Sequence, residues 1–193
     1  MELSPSVVRA AGFFTAINNG VVQQPNVRMV VDDGRNHLLL SGKKYDVITA
    51  DLIRAHHAGA GNLYSRAYFE LARDALKDDG IMAQWVDPEQ PALQALIIRT
   101  SLAAFPYVTV WDGGLILIGS KRPLDLSPET LQRRLDQPST KEGARVVGAH
   151  AADVLRHYTD DGTAFRELIG DGPILTDDRP LTEYFRSIPD GPR

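Results

Sequence analysis

The chain has 193 residues, enough for one domain or one domain with a small appendage. Its 21 Lys and Arg against 25 Asp and Glu leave a formal net charge of -4, which excludes the basic footprint of a nucleic-acid binder. The 43% of apolar residues excludes a disordered chain, and the lack of cysteine excludes disulfides, thiolate metal sites and a Cys nucleophile.

The start carries Glu2 and Arg9 and no apolar signal core, and no stretch reaches the ~20 apolar residues of a membrane span. These features predict a cytoplasmic protein. Val7, Val8, Ala11, Phe14 and Ile17 recur at helical spacing over residues 5 to 17, with Ser4 as cap and Pro5 in the first turn. Asn18-Asn19-Gly20 stops that helix. Val27 to Val31 is a short β-branched run and predicts a strand ending at Asp32-Asp33-Gly34. Arg35 to Leu40 predicts a short helix. Tyr45 to Ala50 predicts a buried strand ended by Asp51.

A loop with Gly59 and Gly61 follows. The spacing then predicts a helix over 65 to 77, closed by Asp78-Asp79-Gly80, and a strand over Ile81 to Val86. Residues 91 to 104 predict another helix. Val108 to Trp111 and Leu115 to Ile118 predict an antiparallel pair turning at Asp112-Gly113-Gly114. Beyond Pro123 the texture changes to helices at 128 to 136, 149 to 158 and 163 to 169. The reading is therefore two parts, an α/β domain over 1–122 and a helical appendage over 123–193. Strands alternating with helices predict a parallel sheet with helices on its faces.

In open α/β sheets, ligands bind beyond the carboxyl ends of the strands. Glu2, Asp33 and Asp51 stand at three such ends. One such acid alone reads as a helix cap. Three in succession read as a nucleoside site, one accepting ribose hydroxyls and another an adenine amine. Gln84 ends a strand and Tyr64 follows the glycine loop, so both could touch a substrate or simply pack. Trp85 and Trp111 read as packing anchors. His56 and His57 are adjacent, and adjacent side chains rarely converge on one ion, so no metal site is expected. Asp177-Asp178-Arg179 reads as a turn with a local ion pair ahead of Pro180.

The order ELSP, VVDDGRNHL, YDVITAD and GNLYSRAYFELARDALKDDGIMAQW resembles the polyamine aminopropyltransferases, that is, spermidine synthase and its bacterial relatives. The resemblance spans about residues 2 to 120, and the closing TDDRP is similar to the end of the bacterial spermidine synthase-like proteins. It implies a Rossmann-like sheet of the S-adenosylmethionine-methyltransferase type, mostly parallel with a terminal antiparallel pair. By resemblance, Glu2 holds the ribose of decarboxylated S-adenosylmethionine. Asp33 and Gly34 receive the adenine, and Asp51 is the catalytic acid. The partners implied are a nucleoside co-substrate and an amine acceptor, with no tightly bound cofactor and no metal. A methyltransferase using S-adenosylmethionine and a non-catalytic nucleoside-binding remnant are the alternatives.

Two departures stand out. The family's loop after the catalytic Asp reads D-S-S-D-P, whereas this chain has Asp51-Leu52-Ile53-Arg54. An Arg in place of the second acid repels a diamine. The family's GGGxG loop and its strand precede the ELSP segment, and this chain holds neither, so the expected sheet lacks its first βα unit. That leaves two strands without a neighbour. A longer parent chain, closure of the two strands on each other, or a second chain in a homo-oligomer would each resolve this.

Overall fold

The computed structural model describes residues 1–51, 54–87 and 90–183. They fall into two compact units, Met1–Lys43 and a second unit that starts at Lys44.

In the first unit, helix α1 (Pro5–Ala11) starts at Pro5, whose missing N–H costs nothing in a first turn. Ser4 stands at the cap position, yet its side chain makes no capping bond. Instead Glu2 Oε1 accepts the Ser4 backbone N–H at 2.8 Å. A 3-10 turn separates α1 from α2 (Thr15–Asn18). The expected stop is present, with Asn19 and Gly20 both left-handed, at φ 53° and 63°. The strand expected at Val27–Val31 is absent. Only Val31 pairs, in a single parallel bridge to Glu2, so neither strand forms at length. The bridge rests on the Glu2 N–H to Val30 carbonyl bond at 3.0 Å and the Asp32 N–H to Glu2 carbonyl bond at 3.1 Å. Helix α3 (Gly34–Ser41) follows and ends at left-handed Gly42. No residue of this unit is buried. The apolar face expected of the first helix is exposed, with Phe14 at 56% and Ile17 at 80%.

Among the described residues the second unit holds a five-stranded sheet of β1 (Tyr45–Ala50), β2 (Leu76–Trp85), β3 (Tyr107–Trp111), β4 (Ile116–Ser120) and β5 (Tyr158–Asp160), in the order β1-β2-β4-β3-β5. Strand β1 (Tyr45–Ala50) has the expected limits but is not the buried strand expected, since only Ile48 and Ala50 are buried and Val47 is exposed, and β2 (Leu76–Trp85) lies parallel to it. The sequence reading ended α4 at Asp78-Asp79-Gly80, but α4 (Arg66–Ala75) stops earlier and those residues belong to β2. Leu76 pairs with Tyr45 and Ile81 with Val47, so Lys77 to Gly80 bulge opposite Asp46. Lys77 Nζ donates to both Asp46 oxygens at 2.8 Å, and a Cβ at Gly80 would lie 2.7 Å from the Tyr45 carbonyl oxygen. Helix α5 (Pro91–Ala104) buries Leu93, Leu96, Ile97 and Ile98 and contacts α4.

Strands β3 (Tyr107–Trp111) and β4 (Ile116–Ser120) form the expected antiparallel pair. β4 lies between β2 and β3 and is antiparallel to both. A Cβ at Gly119 would lie 2.7 Å from the Phe105 ring, so this position needs glycine. The Phe105 ring in turn meets Phe69 edge-on at 6.5 Å.

The segment after residue 122 contains α6 (Pro128–Leu135), α7 (Lys141–Val147), α8 (Ala151–Leu155) and α9 (Thr163–Ile169). α7 was not foreseen, and the helix expected at 149–158 is shorter. Its last residue instead opens β5 (Tyr158–Asp160), which pairs antiparallel with β3. The Trp111 and Tyr158 rings meet edge-on at 5.3 Å, and Trp111 is buried as a packing anchor. No helix among the described residues is long and apolar enough to cross a membrane.

Candidate active site

The β1–β2 register determines what meets at the carboxyl end of the sheet. Ala50 is paired with Gln84, which places Asp51 one residue beyond β1, where it is exposed. Gln84 is 1% exposed. Its Nε2 donates to the Trp85 carbonyl at 3.0 Å and to the Ala50 carbonyl at 3.4 Å, tying the two strand ends together. Its Oε1 is buried without a hydrogen-bond partner. A buried acceptor left unmet costs free energy on the order of 1–3 kcal/mol, so it marks a place where a donor would be welcome.

Tyr64 is fully buried. Burial raises its phenol well above the ordinary tyrosine value, and the nearby charges of Asp87 and Asp51 raise it further. Tyr64, Asp51 and Asp87 are thus electrostatic neighbours, and the phenol keeps its proton at any ordinary pH.

Two residues past β2, Asp87 is 4% exposed. Arg54 Nε lies 3.8 Å from its Oδ2, and the Arg54 side chain is half exposed. Sequence reasoning missed Asp87. The rule that selected Asp51, an acid just past a strand, would have found it. Leu52 and Ile53, which the sequence reading placed in the Asp51 loop, lie outside the described residues.

The loop that carries Tyr64 is fastened by the far end of the chain. Ser65 caps α4 by accepting the Tyr68 N–H at 3.2 Å, and its hydroxyl donates to Asp177 Oδ1 at 2.5 Å. The Gly59 N–H donates to Glu183 Oε1 at 3.0 Å. A Cβ at Gly61 would lie 2.9 Å from Thr182 Oγ1 and 3.2 Å from Pro180, so this loop approaches the 175–183 segment as only glycine allows. Leu175 is fully buried, and its N–H donates to Thr100 Oγ1 at 2.9 Å. The sequence predicts for Asp177-Asp178-Arg179 a turn with a local ion pair. The turn exists, as a Thr176–Arg179 bridge, but the Asp177 carboxylate also reaches across 112 residues to Ser65.

The remaining candidates lie in the first unit. Asp33 caps α3, its Oδ1 accepting the Asn36 N–H at 2.9 Å. Asp33 N–H donates to Asp32 Oδ1 at 2.8 Å. The Glu2–Val31 bridge brings Glu2 next to the Asp32-Asp33 turn. A Cβ at Gly34 would meet nothing within 4 Å, so no protein contact demands glycine there.

His56 and His57 stack edge-to-face at 5.0 Å, and among the described residues no three His, Asp or Glu side chains converge as a metal-ligand set. An open concavity between α6 and α8, lined by Glu129, Gln132, Arg133, Asp136 and His150, contains none of the strand-end residues.

The spermine/spermidine synthase domain model matches residues 2–109, more than half of the chain. The chain belongs to the spermine/spermidine synthase family. It is 27% identical over 156 residues to a polyamine aminopropyltransferase of Pyrobaculum calidifontis, covering 72% of this chain and 54% of that one. It is 26% identical over 117 residues to the polyamine aminopropyltransferase of Bacillus subtilis, covering 60% of this chain and 42% of that one. The chain thus spans about half the length of the curated relatives it matches. Its fold is similar to that of a probable spermidine synthase from Corynebacterium glutamicum, with a TM-score of 0.60 at 18% identity over 91% of this chain and 62% of that one. The spermidine synthase of Thermotoga maritima gives 0.55 at 21% identity, over 80% and 57% of the two chains. The sheet order, with β4 inserted antiparallel between β2 and β3, is the methyltransferase-type ending expected of this family.

Proposed function

We propose that this protein acts in aminopropyl transfer from decarboxylated S-adenosylmethionine to an amine acceptor, with Asp51 as general base. The observation that carries this reading is that Asp51 stands one residue past β1, next to the Ala50–Gln84 pair and near enough to Tyr64 for its charge to raise the phenol, inside the segment matched by the family. Glu2 is assigned to the ribose, Asp33 with Gly34 to the adenine, and Tyr64 and Gln84 to the acceptor side. Asp33 spends one oxygen on its helix cap, and an ionised carboxylate has capacity for more than one donor. The small side of Gly34 leaves room for a base to approach.

The chemistry follows from the charges. An amine is mostly protonated near neutral pH and cannot attack in that state. The Asp51 carboxylate attracts the ammonium, orients it and takes up its proton. The freed nitrogen lone pair forms a bond to the aminopropyl carbon next to the sulfonium. The C–S bond breaks, and its electron pair stays on sulfur, giving neutral methylthioadenosine. Residues 1–122 are read as the transferase-type part and residues 123–193 as an appendage to it. The support for an appended role is the run of short helices α6 to α9 after residue 122, while β5 and the 175–183 segment tie that stretch into the sheet unit.

Calorimetry with methylthioadenosine and decarboxylated S-adenosylmethionine tests binding, and absence of heat at millimolar ligand would sink it. A product assay tests the reaction. Release of methylthioadenosine supports it, whereas S-adenosylhomocysteine formed from S-adenosylmethionine would replace it with methyl transfer. Asp51→Asn is expected to lower transfer by about 10²–10⁴-fold, with thermal melting unchanged because Asp51 is exposed. Retained turnover would remove Asp51 from the mechanism.

A further inference from the structure

Among the described residues, Asp51 follows β1 directly, Asp87 lies two residues past β2, and Arg54 is paired with Asp87. Asp51 and Asp87 are both close enough to raise the Tyr64 phenol, and Arg54 stands 3.8 Å from Asp87. Asp87 is almost wholly buried, whereas the Arg54 side chain is half exposed. At 3.8 Å from Nε the pair is a close charge pair, longer than a charge-assisted hydrogen bond. Arg54 thus offsets the charge of Asp87 while remaining in reach of solvent. Of the two carboxylates, Asp51 alone is exposed to a cationic ligand.

A ligand with two ammonium groups would set one against Asp51 and bring the other towards a guanidinium. A ligand with one ammonium and one carboxylate meets an opposite charge at each end. A guanidinium suits a carboxylate, because its N–H donors are arranged in a planar fork. Gln84 Oε1, at the same strand end, is a buried acceptor without a hydrogen-bond partner.

We propose that the acceptor of this site is an amine that also carries a carboxylate, with its ammonium at Asp51 and its carboxylate at Arg54. This rests on the aminopropyl-transfer reading and names its acceptor class. Arg54 is then a specificity-determining residue, and Asp87 a positioning residue that holds the guanidinium from its buried side.

The test compares two probes with the same four-carbon spacing, 4-aminobutyrate and 1,4-diaminobutane, by calorimetry on the full chain. The wild-type protein is expected to favour 4-aminobutyrate by at least about tenfold, a free-energy difference of about 1.4 kcal/mol. Arg54→Ala should collapse that ratio, and Arg54→Asp should turn it in favour of the diamine. Both variants leave the buried Asp87 carboxylate without that cation and should melt below wild type, so binding is read at a temperature where each variant is still folded. Equal or tighter binding of 1,4-diaminobutane to wild type overturns the proposal. So does a ratio that survives Arg54→Ala, or the failure of both probes to bind. Methylthioadenosine is titrated into the same samples. Its failure to bind counts against the aminopropyl-transfer reading, while the probe ratio still decides the role of Arg54.

Discussion

Tyr64 shows how one residue reports on its surroundings. Burial and two carboxylates hold its phenol above the ordinary tyrosine value of about 10, so the folded chain keeps a proton that the unfolded chain releases. Its contribution to stability is therefore complete below about pH 10 and is lost as pH rises beyond that. The urea midpoint should fall between pH 9 and 11, and Tyr64→Phe should make that fall shallower. An equal slope in both proteins would show that the phenol is not coupled to folding. The places of Asp51, Gln84 and Tyr64 in the fold were legible in the sequence because each stands at a strand end or beside a glycine loop, where position follows from local pattern. Asp87 followed from the same rule and was overlooked. Asp177 could not be found that way, since its partner Ser65 lies 112 residues distant and nothing local encodes the pairing.

Among the elements, those with a strong repeat were read closely. β1 and α5 have the expected limits because a run rich in β-branched and apolar residues and a helical spacing leave little choice. β5 has only three residues and no periodicity to detect, and tertiary pairing with β3 creates it. The Val27–Val31 run has strand propensity, but among the described residues it makes a single bridge, from Val31 to Glu2, and propensity without a neighbour makes no strand. The acidic end expected of α4 became a bulge in β2, where Gly80 lets the two strands approach. Close packing between elements gives two predictions. Gly119→Ala should destabilise by about 1–3 kcal/mol, because the new methyl meets the Phe105 ring, and a urea melt reads it. Leu175→Ala should cost about 2–5 kcal/mol and speed proteolysis of the 54–65 loop, because it removes a fully buried anchor of the fastening segment. Unchanged cleavage of that loop would show that the segment does not hold it.

At the scale of the whole molecule, the two units differ in kind. The unit from Lys44 onward has a sheet with a buried core. Residues 1–43 bury nothing and leave Phe13, Ile17 and Leu40 more than three-quarters exposed. Helices of seven, four and eight residues are too short to persist in water without packing. A peptide of residues 1–43 should therefore give a far-ultraviolet circular dichroism spectrum close to unstructured, and a cooperative thermal melt from it would contradict this. The bond between Ser65 and Asp177 has a further consequence, in time rather than space. A ribosome makes Asp51 and Tyr64 long before it makes residues 175–183, which hold the Tyr64 loop in place. On a nascent chain, strand β1 and its acid emerge early, but the loop stays unfastened until more than a hundred further residues have emerged. The fastened loop is thus a late product of synthesis, and any arrest before Leu175 yields a chain in which the Tyr64 loop has no such clamp.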